Sequence, residues 1–119
     1  MEIRKIITTI LLVLALIIIS TTTSAAISCN CGDICVDETG WWRDGGALNV
    51  ITTPIQAAVD NASSGETICI KAGSYTENVD IATPHLTLRG EGAGEVTVNV
   101  TSISDHAFEV TANYVNISG

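Results

Sequence analysis

The chain has 119 residues, of which 13 are acidic and 5 are basic, and its formal net charge at pH 7 is −8. A chain of this length holds at most one domain. A strong excess of negative charge repels phosphate backbones and anionic lipid headgroups, which argues against a nucleic-acid-binding function.

Residues 1–26 have the pattern of a secretory signal peptide. Two basic residues precede the aliphatic run 6–19, and small uncharged residues follow as far as Ala26. Signal peptides share this order of a basic start, a short apolar core and a small-residue cleavage site. The core is also shorter than the roughly 20 residues of a membrane-spanning helix. We therefore predict cleavage after Ala26, with an uncleaved membrane anchor and a lipidated Cys29 as the alternatives.

Residues 27–52 contain three of the four cysteines, the pair Trp41-Trp42 and four glycines, without a sustained hydrophobic period. We predict an irregular segment held by disulfides. The two tryptophans are candidates for stacking on a sugar ring, although adjacent aromatic residues more often cover apolar surface.

Residues 53–65 predict a short amphipathic helix and a turn. Thr53 suits the N-cap, and Pro54 suits the first helical position, where its missing N–H has no partner to lose. One apolar stripe follows, made by Ile55, Ala58, Val59 and Ala62. A helix of about ten residues is unstable alone in water, so we expect it to pack against the strands that follow.

Residues 66–119 change to the period of two that is typical of short β-strands. Apolar positions recur at nearly constant spacing: Val79 precedes Phe108 by one repeat, and the interval from Ile68 to Val96 is shorter by a single residue. A repeat of about 28 residues that holds three short strands, no helix and no tight hairpin turn indicates a solenoid of stacked parallel strands. The alternation places the aliphatic residues inside and their polar neighbours outside.

The helix, the stretch Ala-Gly-Ser-Tyr-Thr-Glu-Asn-Val at 72–79 and the stretch Leu-Thr-Leu-Arg-Gly at 86–90 together resemble the opening of pectin-lyase-like proteins. The resemblance is greatest to the NosD-type, carbohydrate-binding and sugar-hydrolase repeats of archaeal and bacterial surface proteins. It implies an all-β fold, namely about two coils of a right-handed parallel β-helix with a short N-terminal capping α-helix. It implies no single activity, because this fold carries lyases, hydrolases, adhesins and structural proteins.

All four cysteines follow the predicted cleavage site, and an even number in a short exported domain indicates disulfides. Cys69 alternates with inward-facing isoleucines and should point outward, where it can bond to one of Cys29, Cys31 and Cys35 while the other two pair. A zinc site is the rival interpretation. The Cys-x-Cys-x₃-Cys spacing without a nearby histidine matches the usual zinc motifs poorly.

Three Asn-x-Ser/Thr sequons agree with export, and their candidate glycosylation sites are Asn61, Asn99 and Asn116.

We assign no catalytic, cofactor-binding or metal-binding residue. Sugar-cleaving enzymes of this fold use clustered acidic residues, and the candidates here are Glu77, Asp80, Asp105 and Glu109, with Arg89. Asp80 and Glu109 are one repeat apart and would lie side by side, where they could hold a cation. We favour the interpretation that such outward positions are polar because they face water.

Two further patterns are interpreted as structural. His85 and His106 lie in predicted turns with no nucleophile beside them. The glycines at positions 90, 92 and 94 precede a strand, whereas a dinucleotide-binding motif must open a helix.

These patterns predict a secreted or cell-surface protein whose β-helix is a non-catalytic stalk or glycan-binding body. The alternative is the N-terminal part of an extracellular polysaccharide lyase or glycoside hydrolase. The expected partner is a cell-surface or extracellular polysaccharide. We expect no cofactor, and membrane contact only through the signal peptide or a C-terminal anchor beyond residue 119. Since the chain ends at Gly119 without the polar cap of a repeat array, we expect a fragment of a longer protein.

Overall fold

The computed structural model describes residues 25–119, which form ten β-strands and one short α-helix. The fold is therefore strand-rich, as predicted. The predicted signal peptide lies outside the described residues except for Ala25 and Ala26, which are exposed. Within the described residues, no helix is both long enough and apolar enough to cross a membrane.

The elements follow one another in the order β1 (Ile34–Asp37), β2 (Gly40–Arg43), β3 (Asn49–Val50), α1 (Pro54–Asn61), β4 (Thr67–Ile70), β5 (Gly73–Thr76), β6 (Val79–Ile81), β7 (Thr87–Gly90), β8 (Val96–Asn99), β9 (Phe108–Val110) and β10 (Asn116–Ser118).

The strands form three sheets. One has six strands in the order β10-β7-β4-β1-β2-β3, and the others are the pairs β5-β8 and β6-β9. Neighbours from β10 to β1 are parallel, as are both pairs, whereas β2 and β3 continue the large sheet antiparallel. The chain thus visits the three sheets in the same order twice, first through β4, β5 and β6 and then through β7, β8 and β9. We call these the first and second rounds. No closed solenoid is present in the range 25–119.

Two strand pairs, β6-β9 and β7-β10, have the longer of the two predicted spacings. Val79 lies beside Phe108, Ile81 beside Val110 and Leu88 beside Ile117, all in parallel pairs. The alternative of an antiparallel pairing between β6 and β7 does not occur in the described sheets.

The shorter predicted spacing, from Ile68 to Val96, is wrong as a stacking register. Ile68 lies beside Leu88, and Val96 lies beside Gly73. The two rounds differ in length. Fewer residues separate Thr67 from its partner Thr87 than separate Thr87 from its own partner on β10. The connections of the first round, 71–72 and 77–78, are shorter than the 91–95 and 100–107 connections of the second.

One hydrophobic core is shared by the three sheets and the helix. Its buried members are Ile34, Val36, Ile55, Ala58, Val59, Ile68, Ile70, Tyr75, Val79, Ile81, Leu86 and Leu88. Helix α1 contacts β1, β2, β4 and β6. As predicted, it packs on the first round and buries Ile55 and Val59 in the same cluster as Ile68 and Ile70.

The N-terminus of α1 is capped from the first round and not by its own N-cap residue. Thr53 makes no side-chain hydrogen bond to the helix. Instead the Glu77 carboxylate accepts the backbone N–H of Ile55 at 3.0 Å and that of Gln56 at 2.8 Å. These N–H groups have no partner within the helix. Glu77 was one of the acidic candidates and was expected to face water, but it is only 1% exposed and belongs to the inner face.

The segment 27–52, predicted to be irregular, contains the three strands β1, β2 and β3. Its strand β1 extends the parallel sheet, because Ile34 and Val36 enter the core on either side of Cys35. The turn into β2 is held by the Asp37 side chain, which accepts the backbone N–H of Gly40 at 3.0 Å. Strand β1 has only four residues and is surrounded by glycines and cysteines, so its alternation of inward and outward side chains is not apparent from the sequence.

Candidate functional site

A row of side chains crosses the outer face of the six-stranded sheet. Strand pairing places Trp42, Cys35, Cys69, Arg89 and Ser118 next to one another in that order. The row begins with an aromatic ring and two cysteines and continues to a cation, so apolar and charged groups meet in its middle.

Two disulfides cover the cysteine part of this row. Cys29 bonds to Cys35 and Cys31 bonds to Cys69, with Cα separations of 5.5 and 6.0 Å. Cys69 is therefore paired with one of the three N-terminal cysteines, and the other two pair with each other, which is the predicted pattern. Two disulfides indicate an oxidising, extracellular environment.

A second, smaller core surrounds the sulfur atoms on this outer face. Cys29, Cys35, Cys69 and Trp42 are buried together, whereas Cys31 is exposed. Ile27 and Leu48 pack against the cluster. Cys69 thus faces away from the main core, as predicted, but the segment 27–31 shields it from water.

Trp42 is too buried for the sugar-stacking role that the sequence suggests, and for Trp41 that role stays a prediction. Trp42 is 2% exposed and its indole N–H donates to the Ser28 carbonyl at 3.3 Å, so its ring has no free face for a sugar. Trp41 is partly buried and packs against the main core. Both cover apolar surface because the β1-β2 turn sets them on opposite faces of a short strand.

A cavity of about 230 Å³ opens beside the exposed residue Cys31. Its walls include Asn30, Lys71, Arg89 and Glu91. The Glu91 carboxylate accepts the backbone N–H of residue 72 at 2.7 Å, which fixes it at the rim. The cavity combines two cations, a carboxylate and an amide, so it can receive a small group that carries both negative charge and hydroxyls.

The cations are distributed unevenly. Residues 25–119 contain three lysines and arginines, namely Arg43, Lys71 and Arg89. Arg43 donates to Glu66 at 2.8 Å, and this contact raises the pKa of Arg43 and lowers the pKa of Glu66. The other two cations line the cavity and form no salt bridge with any residue in this range.

Lys71 is held in place by its neighbours. The Tyr75 hydroxyl donates to the Lys71 carbonyl at 2.7 Å, and the Lys71 ammonium lies 5.3 Å from the ring centre of Trp42. Sequence reasoning did not single out Lys71. The scarcity of cations could have identified it, since Lys71 closely follows Cys69 and Arg89 is aligned with Cys69 one round later.

The acidic candidates are not brought together with Arg89. Asp80 and Glu109 are exposed neighbours on β6 and β9, as their spacing predicted, but Arg89 lies on β7 of another sheet. Asp105 lies in the connection between β8 and β9, beside His106.

Two predicted structural features are present. His85 is exposed and stacks on Tyr114 with 4.9 Å between ring centres. The glycine-rich residues 90–94 lead through a turn into strand β8.

All three candidate glycosylation residues are exposed, namely Asn61, Asn99 and Asn116. Asn61 lies at the end of α1, Asn99 ends β8 and Asn116 begins β10. Their accessibility is compatible with glycosylation, which stays a prediction.

A second cavity of about 340 Å³ lies at the C-terminal end of the core, beside the strands of the second round. It is lined mainly by apolar side chains, including Leu88, Val96, Val98, Phe108 and Ile117.

Comparison with protein-family models, with curated proteins and with solved structures found no match to this chain.

Proposed function

We propose that the chain belongs to an exported cell-surface protein, and that residues 66–119 begin a right-handed parallel β-helix that acts as a non-catalytic stalk or glycan-binding body. The observation that carries the proposal is the order of parallel pairing. β4, β5 and β6 each have a partner one round later, and β10 pairs with β7 to begin the sequence again. Repetition of the same three strands is the building principle of a β-helix.

The covered end of the core supports the same interpretation. An uncovered first coil would leave unpaired strand edges and apolar side chains exposed to aggregation. Here α1 and β1–β3 lie over the first round, and two disulfides fasten the outer segment to it. A cap of this kind suits a long-lived structural body outside the cell.

The cavity beside Cys31 is the part of this body best suited to a glycan. Lys71 and Arg89 can pair with an anionic group, while Asn30 and Glu91 can exchange hydrogen bonds with hydroxyls. Its volume of about 230 Å³ is below the usual range of roughly 300–1,000 Å³ for small-molecule pockets. We therefore propose that it holds one charged unit of an extended acidic polysaccharide.

The alternative function is the opening part of an extracellular polysaccharide lyase or glycoside hydrolase. It is favoured by the adjacent carboxylates of Asp80 and Glu109. Against it, the arginine nearest in sequence lies on a different sheet from this pair. Both carboxylates are also exposed, as expected of side chains that simply face water.

A binding experiment with a product assay separates the two functions. The oxidised chain should bind acidic polysaccharides and leave neutral ones unbound, and Lys71→Gln and Arg89→Gln should each weaken binding. Arg43→Gln is the matched control, since it removes the same charge away from the cavity. No new chain ends should form. Cleavage that is abolished by Asp80→Asn or Glu109→Gln would establish the enzyme, and unchanged binding in both cavity variants would refute the glycan site.

A further inference from the structure

The sulfur atoms of the four cysteines are close enough together to share one ligand. All four lie within 4.8 Å of one another. In a tetrahedral zinc–thiolate site, Zn–S distances of about 2.3 Å place the sulfurs about 3.8 Å apart. When the disulfides are reduced, the two sulfurs of each former disulfide would move apart. Sulfur pairs that were not bonded would approach by at most about 1 Å to reach this geometry. Side-chain rotation can supply movements of this size.

The positions of Cys35 and Cys69 do not depend on the disulfides. The two residues are direct neighbours on the parallel strands β1 and β4, and the register is held by the backbone ladder. The flanking residues Ile34 and Ile68 are fully buried in the main core. Reduction therefore leaves two sulfurs side by side on the outer face of the sheet.

The segment that carries Cys29 and Cys31 is likewise held without sulfur. The backbone N–H of Cys29 donates to the Asp44 carboxylate at 2.7 Å, and Ile27 forms a bridge with Gly46. The indole N–H of Trp42 donates a hydrogen bond to the carbonyl of Ser28. These contacts keep the segment over the sheet, so all four sulfurs remain in one cluster when both disulfides are reduced.

The charges around the cluster fit a metal–thiolate better than they fit disulfides. A divalent ion with four thiolates has a net charge of −2, which is costly to bury without compensation. Two cations, Lys71 and Arg89, line the cavity that also reaches Cys31 and Cys35. Disulfides are neutral and require no cations. Nevertheless, two of the three lysines and arginines in residues 25–119 line this cavity.

From this geometry we propose that the reduced cluster is a binding site for one soft divalent metal ion, with Zn²⁺ as the best match to four thiolates. The proposal does not rest on the glycan-binding function, although both assign a role to Lys71 and Arg89. It makes the four cysteines a redox-controlled site, which is closed to metal as two disulfides and open to metal as four thiols.

The redox step balances with an external dithiol as the reductant. Its thiolate attacks the sulfur of Cys31, the more exposed residue of the pair, releases the Cys69 thiolate and forms a mixed disulfide, which the second thiol of the reagent then resolves. A second dithiol molecule reduces the Cys29–Cys35 bond. Two dithiols thus supply four electrons and four protons and become two disulfides themselves. Metal binding then displaces the four thiol protons.

Metal titration of the reduced chain tests the proposal. The purified chain is reduced with excess dithiol under anaerobic conditions, freed of reagent and titrated with Co²⁺ as a spectroscopic probe. Thiolate-to-cobalt charge-transfer bands and tetrahedral d–d bands should saturate at one ion per chain and disappear when Zn²⁺ is added. The oxidised chain should give no bands.

Variants separate a built site from loose thiol chemistry. Cys31→Ser should lower cobalt affinity by at least about tenfold and reduce the charge-transfer intensity. Lys71→Gln and Arg89→Gln should each weaken binding by about tenfold, the low end for groups that surround metal ligands. Arg43→Gln should leave the affinity unchanged.

The same titration is repeated in urea, with circular dichroism recording the strand content of each sample. Saturation at one ion per folded chain, or recovery of strand content when metal is added, supports the site. Absence of cobalt–thiolate bands, another stoichiometry, or equal affinity in the urea-unfolded chain overturns it, whatever the outcome of the glycan experiment.

Discussion

Helix α1 depends on a side chain that lies far beyond it in sequence, and removal of that side chain gives the sharpest test of the fold. Glu77 accepts the backbone N–H groups of Ile55 and Gln56, at 3.0 and 2.8 Å. Glu77→Ala leaves both donors without this partner. Among residues 25–119, no other side chain caps the helix there, and Thr53 in particular makes no such bond.

The size of the effect follows from the two lost bonds. A buried backbone donor that loses its partner costs about 1–3 kcal/mol. The N–H of Ile55 is buried and that of Gln56 is partly buried, so we use about 1.5 kcal/mol for each bond. Glu77→Ala should therefore reduce the free energy of unfolding by about 3 kcal/mol. Glu77→Gln should cost less, since its amide oxygen still accepts one of the two N–H groups.

Urea unfolding of the full chain, followed by circular dichroism, measures this change. The matched control is Thr53→Ala, which removes the predicted N-cap side chain and should change stability by less than about 0.5 kcal/mol. The reasoning is refuted if Glu77→Ala is as stable as the wild type, or if Thr53→Ala costs as much as Glu77→Ala.

Three other expectations concern pH, packing and processing. Burial raises the pKa of Glu77 above 4.5, although its two backbone hydrogen bonds oppose this, so the folded state binds the proton more tightly. The stability that Glu77 contributes, measured against Glu77→Ala, should be complete below pH 4.5 and fall as pH rises through the folded pKa. Leu88→Ala should cost about 2–5 kcal/mol in urea unfolding, whereas Ile103→Ala, at a fully exposed position, should cost almost nothing. N-terminal sequencing of exported protein should begin at or immediately beside Ile27.

The alternation of apolar residues predicted the faces of the strands better than their stacking. Val79 and Phe108 are neighbours as their spacing indicated, but Ile68 and Val96 are not. Alternation within a strand shows which side chains point inward, but it leaves open which later strand lies beside that strand and therefore how long each round is. That length is set by the connections, which carry no hydrophobic pattern.

The cap was predictable only where its signals were local. Pro54 and the apolar stripe located α1, and the even number of cysteines predicted two disulfides. The helix-capping role of Glu77 required knowledge of a contact between distant segments. Strand β1 was missed because its four residues are too few to show a sustained hydrophobic period.

Helix α1 and the disulfide-bonded segment 27–31 are both attached to the first round, and this should make the two rounds unequal in stability. Glu77, in the β5-β6 connection, accepts a hydrogen bond from the first turn of α1. Cys69, on the outer face of β4, is bonded to Cys31 of the segment. The second round has longer connections. Val110 on β9 and Ile117 on the following strand β10 remain 44% and 45% exposed.

Local opening is easiest where apolar contacts are few and the backbone is exposed. In the 119-residue chain, amide hydrogens of β4 and β6 should therefore exchange more slowly than those of β9 and β10, as measured by hydrogen–deuterium exchange with peptide or NMR resolution. Glu77→Ala should reduce the protection of α1 and β6 and leave β10 nearly unchanged. Equal protection of both rounds in the wild type would refute the prediction that attachment to the cap makes the first round more stable.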